Sequence, residues 1–426
     1  MAHALRLAEG RPRAAIVASG SELVRGDRND RNGPFIAAEL LRRGIDPAHI
    51  LVVGDDPADL LAAIRDGLSF DLLVISGGLG PTHDDRTIEL LAEAAGVGLA
   101  VDEELAGKIE ELSRAVARRM NRPFGDFMAG IRKQATLPEG AEWVGLVGTA
   151  PAVVLPVGAS VAVSLPGPPR ELQELWPRVL ERAPLQRVLA RAVVPQRRVL
   201  RLFGVSESAV AKALEAAGGE GDGVDVTICA RDFEIYIDLF VQPGAEARGD
   251  AVERTLAELN EPYLFSRDER PTAELVLDLL RERGLTLGTA ESCTGGLVAA
   301  RLTDVPGSSD VFLGSIVSYA NAVKEAQLGV PAAVLAEHGA VSAETAAAMA
   351  HGAREALGVD VAVAITGVAG PGGGSEEKPV GRVHLHAAGP GGERARQLDF
   401  PGDRETIRLR STVAALHLVR TLVTEA

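Results

Sequence analysis

The sequence predicts an α/β protein, two α/β sandwich domains joined by a small α+β connector. Three observations predict it. Apolar runs of strand length alternate with helical patterns from the start, those runs are apolar on both faces, and 47 Gly and 24 Pro punctuate the chain. Strands of that kind read as a parallel sheet covered by helices on two sides, with ligands at the carboxyl ends of the strands. A chain of 426 residues that is 46% hydrophobic has material for packed cores, and its length leaves room for roughly two to four domains.

The first domain is expected over 1–185. Strand-like runs at 14–19, 50–53 and 71–76 alternate with helical patterns at 35–43 and 60–68, a β-α-β-α-β order. Two more strands follow at 152–156 and 161–165, then a helix that Pro168 and Pro169 start. The connector, 190–262, reads as a strand at 199–203, a helix opened by Ser206 or Ser208, strands at 224–229 and 233–241 turning at Arg231 and Asp232, and a helix at 247–259. Nothing in it suggests chemistry. The third domain, 268–426, begins with a helix at 272–283 and a strand at 285–290, continues through apolar segments at 311–319, 361–366 and 383–387, and closes with a helix at 405–423. No internal repeat is visible.

Composition excludes several function classes. The formal net charge of −15 opposes direct nucleic-acid binding, and 4% aromatic residues leave few stacking platforms. Cys229 and Cys293 stand far apart, outside C-x-x-C or Cys/His spacing, so a reducing cytoplasm is expected rather than a disulfide framework or zinc site. The N-terminus has charges at Arg6 and Glu9 and lacks an apolar core, and no apolar run approaches about 18 residues, so neither export nor a membrane anchor is expected.

Two constellations carry chemistry. The strand 72–76 ends in G-G-L-G-P-T-H-D-D, where Gly77, Gly78 and Gly80 let backbone N–H groups approach an anion and Thr82 follows. Asp84 and Asp85 could hold a hard divalent cation, or one of them could simply cap the next helix. A second glycine turn, with Gly20, Glu22, Asp30 and Asn32, follows the first strand. Together with L-P-G-P-P-R-E at 165–171 these loops converge on one pocket at the sheet edge.

The other constellation is E-S-C-T-G-G, Glu291 to Gly296, where a strand gives way to a helix and backbone N–H groups could stabilise an oxyanion. Alone, it is equally an ordinary N-cap. It has company in S-Y-A-N-A-V-K at 318–324 and A-I-T-G-V-A-G-P-G-G-G at 364–374. A partly desolvated Lys324 beside Ser292 could lose its charge and accept the hydroxyl proton. Cys293 is the rival nucleophile. His384 and His386 alternate on one strand face and read as structural, and His338 as a helix C-terminal residue.

The first constellation, with K-Q-A at 133–135 and G-T-A-P at 148–151, resembles the molybdopterin-binding-type domain at the front of the CinA (competence/damage-inducible) family. That resemblance implies hydrolysis of ADP-ribose at its pyrophosphate with a divalent metal, Co2+ or Mg2+, with or without K+. It also implies Lys133 as a substrate contact, although Lys133 and Gln134 alone read equally as an exposed helical pair. Ser21, Gly145 and Ala152 depart from the family's usual Thr, Asn and Gly.

The third domain is similar over its whole length to the family's nicotinamide mononucleotide deamidase domain. The resemblance implies a metal-free deamidase with Ser292, Tyr319, Lys324 and Thr366 as catalytic residues. It implies substrate contacts at Glu291, Thr294, Gly295, Gly296, Asn321, Gly367 and Gly370, with Arg404 or Arg408 on the phosphate, and a homodimer. The expected function is thus a bifunctional hydrolase of pyridine-nucleotide turnover. Two alternatives stay open: an adaptor in competence or DNA recombination acting through protein partners, and a regulatory protein that binds a nucleotide or pterin without hydrolysing it.

Overall fold

The computed structural model describes residues 11–121 and 123–425, so the charges at Arg6 and Glu9 lie outside the described residues. No helix among the described residues is long and apolar enough to cross a membrane. The chain divides into two compact units. The first holds the residues up to Arg197 with Glu220–Asp225 and Leu239–Ala251; the second holds Arg198–Gly219, Val226–Asp238 and Val252–Ala426.

In the first unit, four parallel strands run in the order Asp46–Val53, Arg13–Ser19, Leu72–Ser76 and Ser160–Leu165. Side-chain alternation splits them between two cores. Ala14, Ile16, Leu72 and Val74 pack with Ile36, Leu40, Leu172 and Trp176 on one face. Ala15, Val17, Leu73 and Ile75 meet Leu60, Ile64, Leu90 and Leu91 on the other. Burying each such aliphatic side chain is worth about 1.5–3 kcal/mol, which makes the sheet a rigid platform for the loops at its edge.

The sheet is parallel over the first strands, as expected, but not throughout. Pro151–Val157 lies antiparallel to Ser160–Leu165, and Glu142–Leu146 antiparallel to it in turn. Only Gly158, at φ +58, and Ala159 close the turn between the paired Val157 and Ser160. A parallel crossover needs a dozen or more residues, so so short a link permits only a hairpin.

The second unit has a five-stranded sheet in the order Phe312–Val317, Leu287–Glu291, Val361–Gly367, Arg382–Gly389 and Gly392–Asp399. The first three are parallel and the last two antiparallel. Val361, Val363 and Ile365 face the core shared with Leu277, Leu302 and Val419, while Ala362 and Ala364 face Leu328, Met349 and Ala353.

Four shorter strands, ordered Val224–Arg231, Glu234–Val241, Gln196–Phe203 and Leu264–Ser266, form a separate sheet. Its hairpin turns at Asp232 and Phe233, both at positive φ (50 and 69), so Arg231 stays in the strand and the expected turn moves by one residue. Two successive positive φ values are the signature of a turn that matches strand twist. Ser206, rather than Ser208, caps the helix Glu207–Ala216 by accepting from Ala209 N. Buried within the second unit, Glu234 accepts from Thr272 and Tyr236 and pairs with His417 Nε2 at 2.6 Å. The His417 ring stacks on Phe203 at 3.8 Å.

Candidate functional site

In the first unit the strand-end loops surround a cavity of about 900 Å³. Gly77 sits at φ +107, where a Cβ would strike the Ser19 carbonyl oxygen, and a Cβ at Gly78 would strike Thr87 Oγ1. Glycine is therefore required for the loop to fold back on the first strand. Thr87 Oγ1 donates to Gly77 O at 2.8 Å and buried Gln134 Nε2 to Leu79 O at 2.9 Å, which fixes the loop from behind. Gly80 and Thr82 complete this wall.

The opposite wall comes from the first strand's loop. Asp30 accepts from the N–H groups of Asn32 and Gly33, and buried Asn32 Nδ2 donates to Ser76 Oγ at 2.8 Å and to Gly167 O. Asn32 lines the cavity, and its buried Oδ1 has no hydrogen-bond partner. Glu22 folds its carboxylate over Gly20. Sequence reasoning missed Asp55, which accepts from Ser21 N at 2.9 Å, and singled out no role for Glu171, whose carboxyl burial pushes up. Both line the cavity; Asp55 could have been found because it too follows a strand.

Asp84 and Asp85 stand on the cavity wall, and both carboxylates crowd the single hydroxyl proton of Thr82. The Thr82 hydroxyl beside Asp84 holds that carboxyl below its ordinary value. Two hard carboxylates drawn to one proton fit a hydrated divalent ion, which takes one or two carboxylates and completes its shell with waters and phosphate oxygens. Lys133 does not line this cavity. Its ammonium donates to the Thr82 carbonyl and borders a smaller neighbouring cavity of about 230 Å³, so it braces the loop instead of reaching the large cavity.

In the second unit the strand Leu287–Glu291 delivers Ser292 to the sheet edge, where Ser292 N donates to Ile365 O at 2.9 Å. The helix Asn321–Leu328 brings Lys324 to it, with Nζ 3.1 Å from Ser292 Oγ. Nζ also lies 2.7 Å from Ser318 O and 3.4 Å from Tyr319 O. Lys324 is only 1% exposed and no carboxylate pairs with it among the described residues; burial pushes its pKa down. Nζ donates in all three contacts; loss of one proton would leave two N–H groups on the carbonyls and a lone pair toward the serine hydroxyl.

Burial pushes the Cys293 thiol up to about 12, so it holds its proton at neutral pH and makes a poor nucleophile. Arg408 clasps the carbonyls of Cys293 and Thr294 at 3.2 and 2.8 Å. That leaves Arg404 as the exposed guanidinium; it donates to Gly370 O at 2.8 Å and the Tyr319 hydroxyl at 2.9 Å.

Several expected roles move. Glu291 is fully buried and accepts from the N–H groups of Gly296, Val298 and Ala299, so its carboxylate caps the helix Leu297–Thr303. The N–H groups of Gly296, Val298 and Ala299 are thereby spent and cannot serve an oxyanion, and the Gly295 N–H is likewise taken by Ser292 O. The Thr294 side chain is fully buried, its hydroxyl unpartnered. Tyr319 is 61% exposed, and its hydroxyl meets Arg404 rather than Lys324. Thr366 donates to Ala340 O at 2.6 Å and holds that segment in place. Asn321 heads its helix in solvent, and Gly367 ends the strand beside Thr366.

Comparison with known proteins places both constellations. Residues 269–423 match the CinA C-terminal domain, and residues 15–186 match a probable molybdopterin binding domain. A CinA-like protein of Mycobacterium marinum is 43% identical over 423 residues, covering 97% of this chain and 99% of the relative. A CinA-like protein of Mycobacterium tuberculosis is 43% identical over 418 residues, 96% of each. Among solved structures, competence/damage inducible protein CihA from Agrobacterium tumefaciens is 43% identical over 35% of this chain and 93% of its own, with a TM-score of 0.35. The protein CinA of Thermoplasma acidophilum is 31% identical over 41% of this chain and 98% of its own, with a TM-score of 0.36. Because the mycobacterial similarity runs through both constellations and nearly the full length of both chains, the chain belongs to the CinA family.

Proposed function

We propose that the second unit hydrolyses a carboxamide, with nicotinamide mononucleotide as its substrate. The observation that supports this best is the buried Lys324 amine 3.1 Å from Ser292 Oγ, with no acidic partner among the described residues. Lys324 takes the hydroxyl proton as Ser292 Oγ attacks the carboxamide carbon, whose oxygen gathers the negative charge of the tetrahedral intermediate. The ammonium then returns the proton to the leaving nitrogen, which departs as ammonia. Water, deprotonated by the same amine, cleaves the acyl ester and frees nicotinate mononucleotide. Arg404 offers its planar donors to the substrate phosphate. No metal takes part in this scheme.

The test is ammonia release by the full chain. Ser292→Ala is expected to lose about 10⁴-fold or more in kcat, as removal of an enzyme nucleophile does, while Cys293→Ala stays near the parent rate. Retained activity in Ser292→Ala, or loss in Cys293→Ala alone, would reverse the assignment.

The first unit's cavity supports a second activity, cleavage of a nucleoside diphosphate such as ADP-ribose at the pyrophosphate. Asp84 and Asp85 would hold the divalent ion, which when bound supplies charge neutralisation and an activated water. Asn32 and Asp30 shape the opposite wall against the nucleotide. Asp84→Ala is expected to abolish metal-dependent phosphoanhydride cleavage, read as the two phosphomonoesters AMP and ribose 5-phosphate, and to leave deamidation unchanged. Loss of both activities together would show that the two sites do not act independently. Intracellular nucleotides as substrates and unpaired thiols in Cys229 and Cys293 favour the cytoplasm as the place of work.

A further inference from the structure

We propose that His351, His386 and Glu393 form a binding site for one borderline d-block dication, Zn2+ foremost, at the antiparallel edge of the second unit's sheet. The three residues come from three elements: the helix Ala343–Leu357 and the strands Arg382–Gly389 and Gly392–Asp399. Strand register makes the arrangement specific. Ala388 pairs with Glu393 and His386 with Ala395, so His386 and Glu393 are diagonal neighbours on one face. The helix lays His351 over that same face, its ring 5.8 Å from the His386 ring.

One donor atom from each residue lies within 4.8 Å of the others. His351 Nε2 is 2.7 Å from Glu393 Oε1, and His386 Nε2 is 3.0 Å from Glu393 Oε2. Bonds of about 2.1 Å to a tetrahedral Zn2+ put ligand atoms roughly 3.4 Å apart, so side-chain rotations of about 1 Å complete the site. Two imidazoles and one carboxylate are the donor set that suits Zn2+, Co2+ or Ni2+ rather than Mg2+. They also leave a fourth position open to water.

Charge agrees with geometry. No Lys or Arg forms an ion pair with Glu393 among the described residues, so its negative charge is answered only by the two histidines. The site is separate from the carboxylate pair at Asp84 and Asp85, and it does not depend on the deamidation reading.

The experiment uses the full chain, stripped with a chelator and titrated first with Co2+ and then with Zn2+ at neutral pH. One equivalent of Co2+ is expected to give visible absorption of a low-coordinate nitrogen-ligated ion, displaced by Zn2+. The bands persist in an Asp84→Ala, Asp85→Ala double variant. In His351→Gln and Glu393→Gln, affinity falls about 100-fold or more, since even outer-shell partners cost about 10- to 100-fold. Both positions are half-exposed, so these variants fold even where His386→Ala does not. Absence of the bands in the parent protein, or bands unchanged in His351→Gln, overturns the proposal.

Discussion

Lys324→Met is expected to lower kcat for ammonia release by about 10²–10⁴, the usual contribution of a positioned general base. The expectation follows from where the amine sits. It is buried, near Ser292 Oγ, and its hydrogen-bonding neighbours are neutral. Burial lowers its pKa from the ordinary 10.5, so the neutral form becomes accessible nearer physiological pH. The sign is fixed: as pH falls through the depressed pKa, the amine gains a proton, its lone pair disappears and the rate declines. An acid limb below pH 10.5 should therefore be present in the parent enzyme and absent from the residual activity of Lys324→Met. Met fills nearly the same volume without a charge, so the unfolding free energy from urea titration should change by less than about 1.5 kcal/mol. A variant that kept full activity, or one that kept the same acid limb, would remove Lys324 from the chemistry.

The largest stability effect is expected at Glu234. Glu234→Ala should cost about 1–3 kcal/mol for each buried donor it leaves without an acceptor. His417, Thr272 and Tyr236 all direct polar atoms at this carboxylate, and the His417 ring is locked between Phe203 and Phe265. Burial opposes the Glu234 charge, but these contacts hold its pKa below the usual range. A depressed carboxyl adds stability above its unfolded pKa, and that stability is lost as pH falls through the lower folded value. Acid unfolding of the parent should thus begin at a lower pH than in Glu234→Gln. Equal urea midpoints for Glu234→Ala and the parent would show that the network contributes no net stability.

Much of this arrangement was legible in the chain. Buried strands such as 72–76 announce themselves as uninterrupted apolar runs, and the glycine and small-residue turns that follow them mark the sheet edge where both constellations lie. The pairing of Lys324 with Ser292 came from the resemblance and the company of the two motifs, and the fold brings the two side chains within 3.1 Å. Other features left no such trace. The strand Gly392–Asp399 reads G-E-R-A-R-Q-L-D, largely exposed, and exists because it pairs with Arg382–Gly389 rather than because of its own pattern. Glu291 sits next to the serine in sequence, but only the fold shows its carboxylate turning away to the N–H groups of the following helix. Nor does spacing reveal which way a ring points, which is why Tyr319 reads as a partner of the amine and lies instead in solvent against Arg404.

The clasp on residues 293 and 294 has a kinetic meaning. With Arg408 gripping the two carbonyls and the Glu291 carboxylate pinning the following turn, the peptide around the serine has no slack to take up when a ligand arrives. The first turnover should start without a lag, and a temperature-jump on the unliganded enzyme should show no slow relaxation from that corner of the molecule.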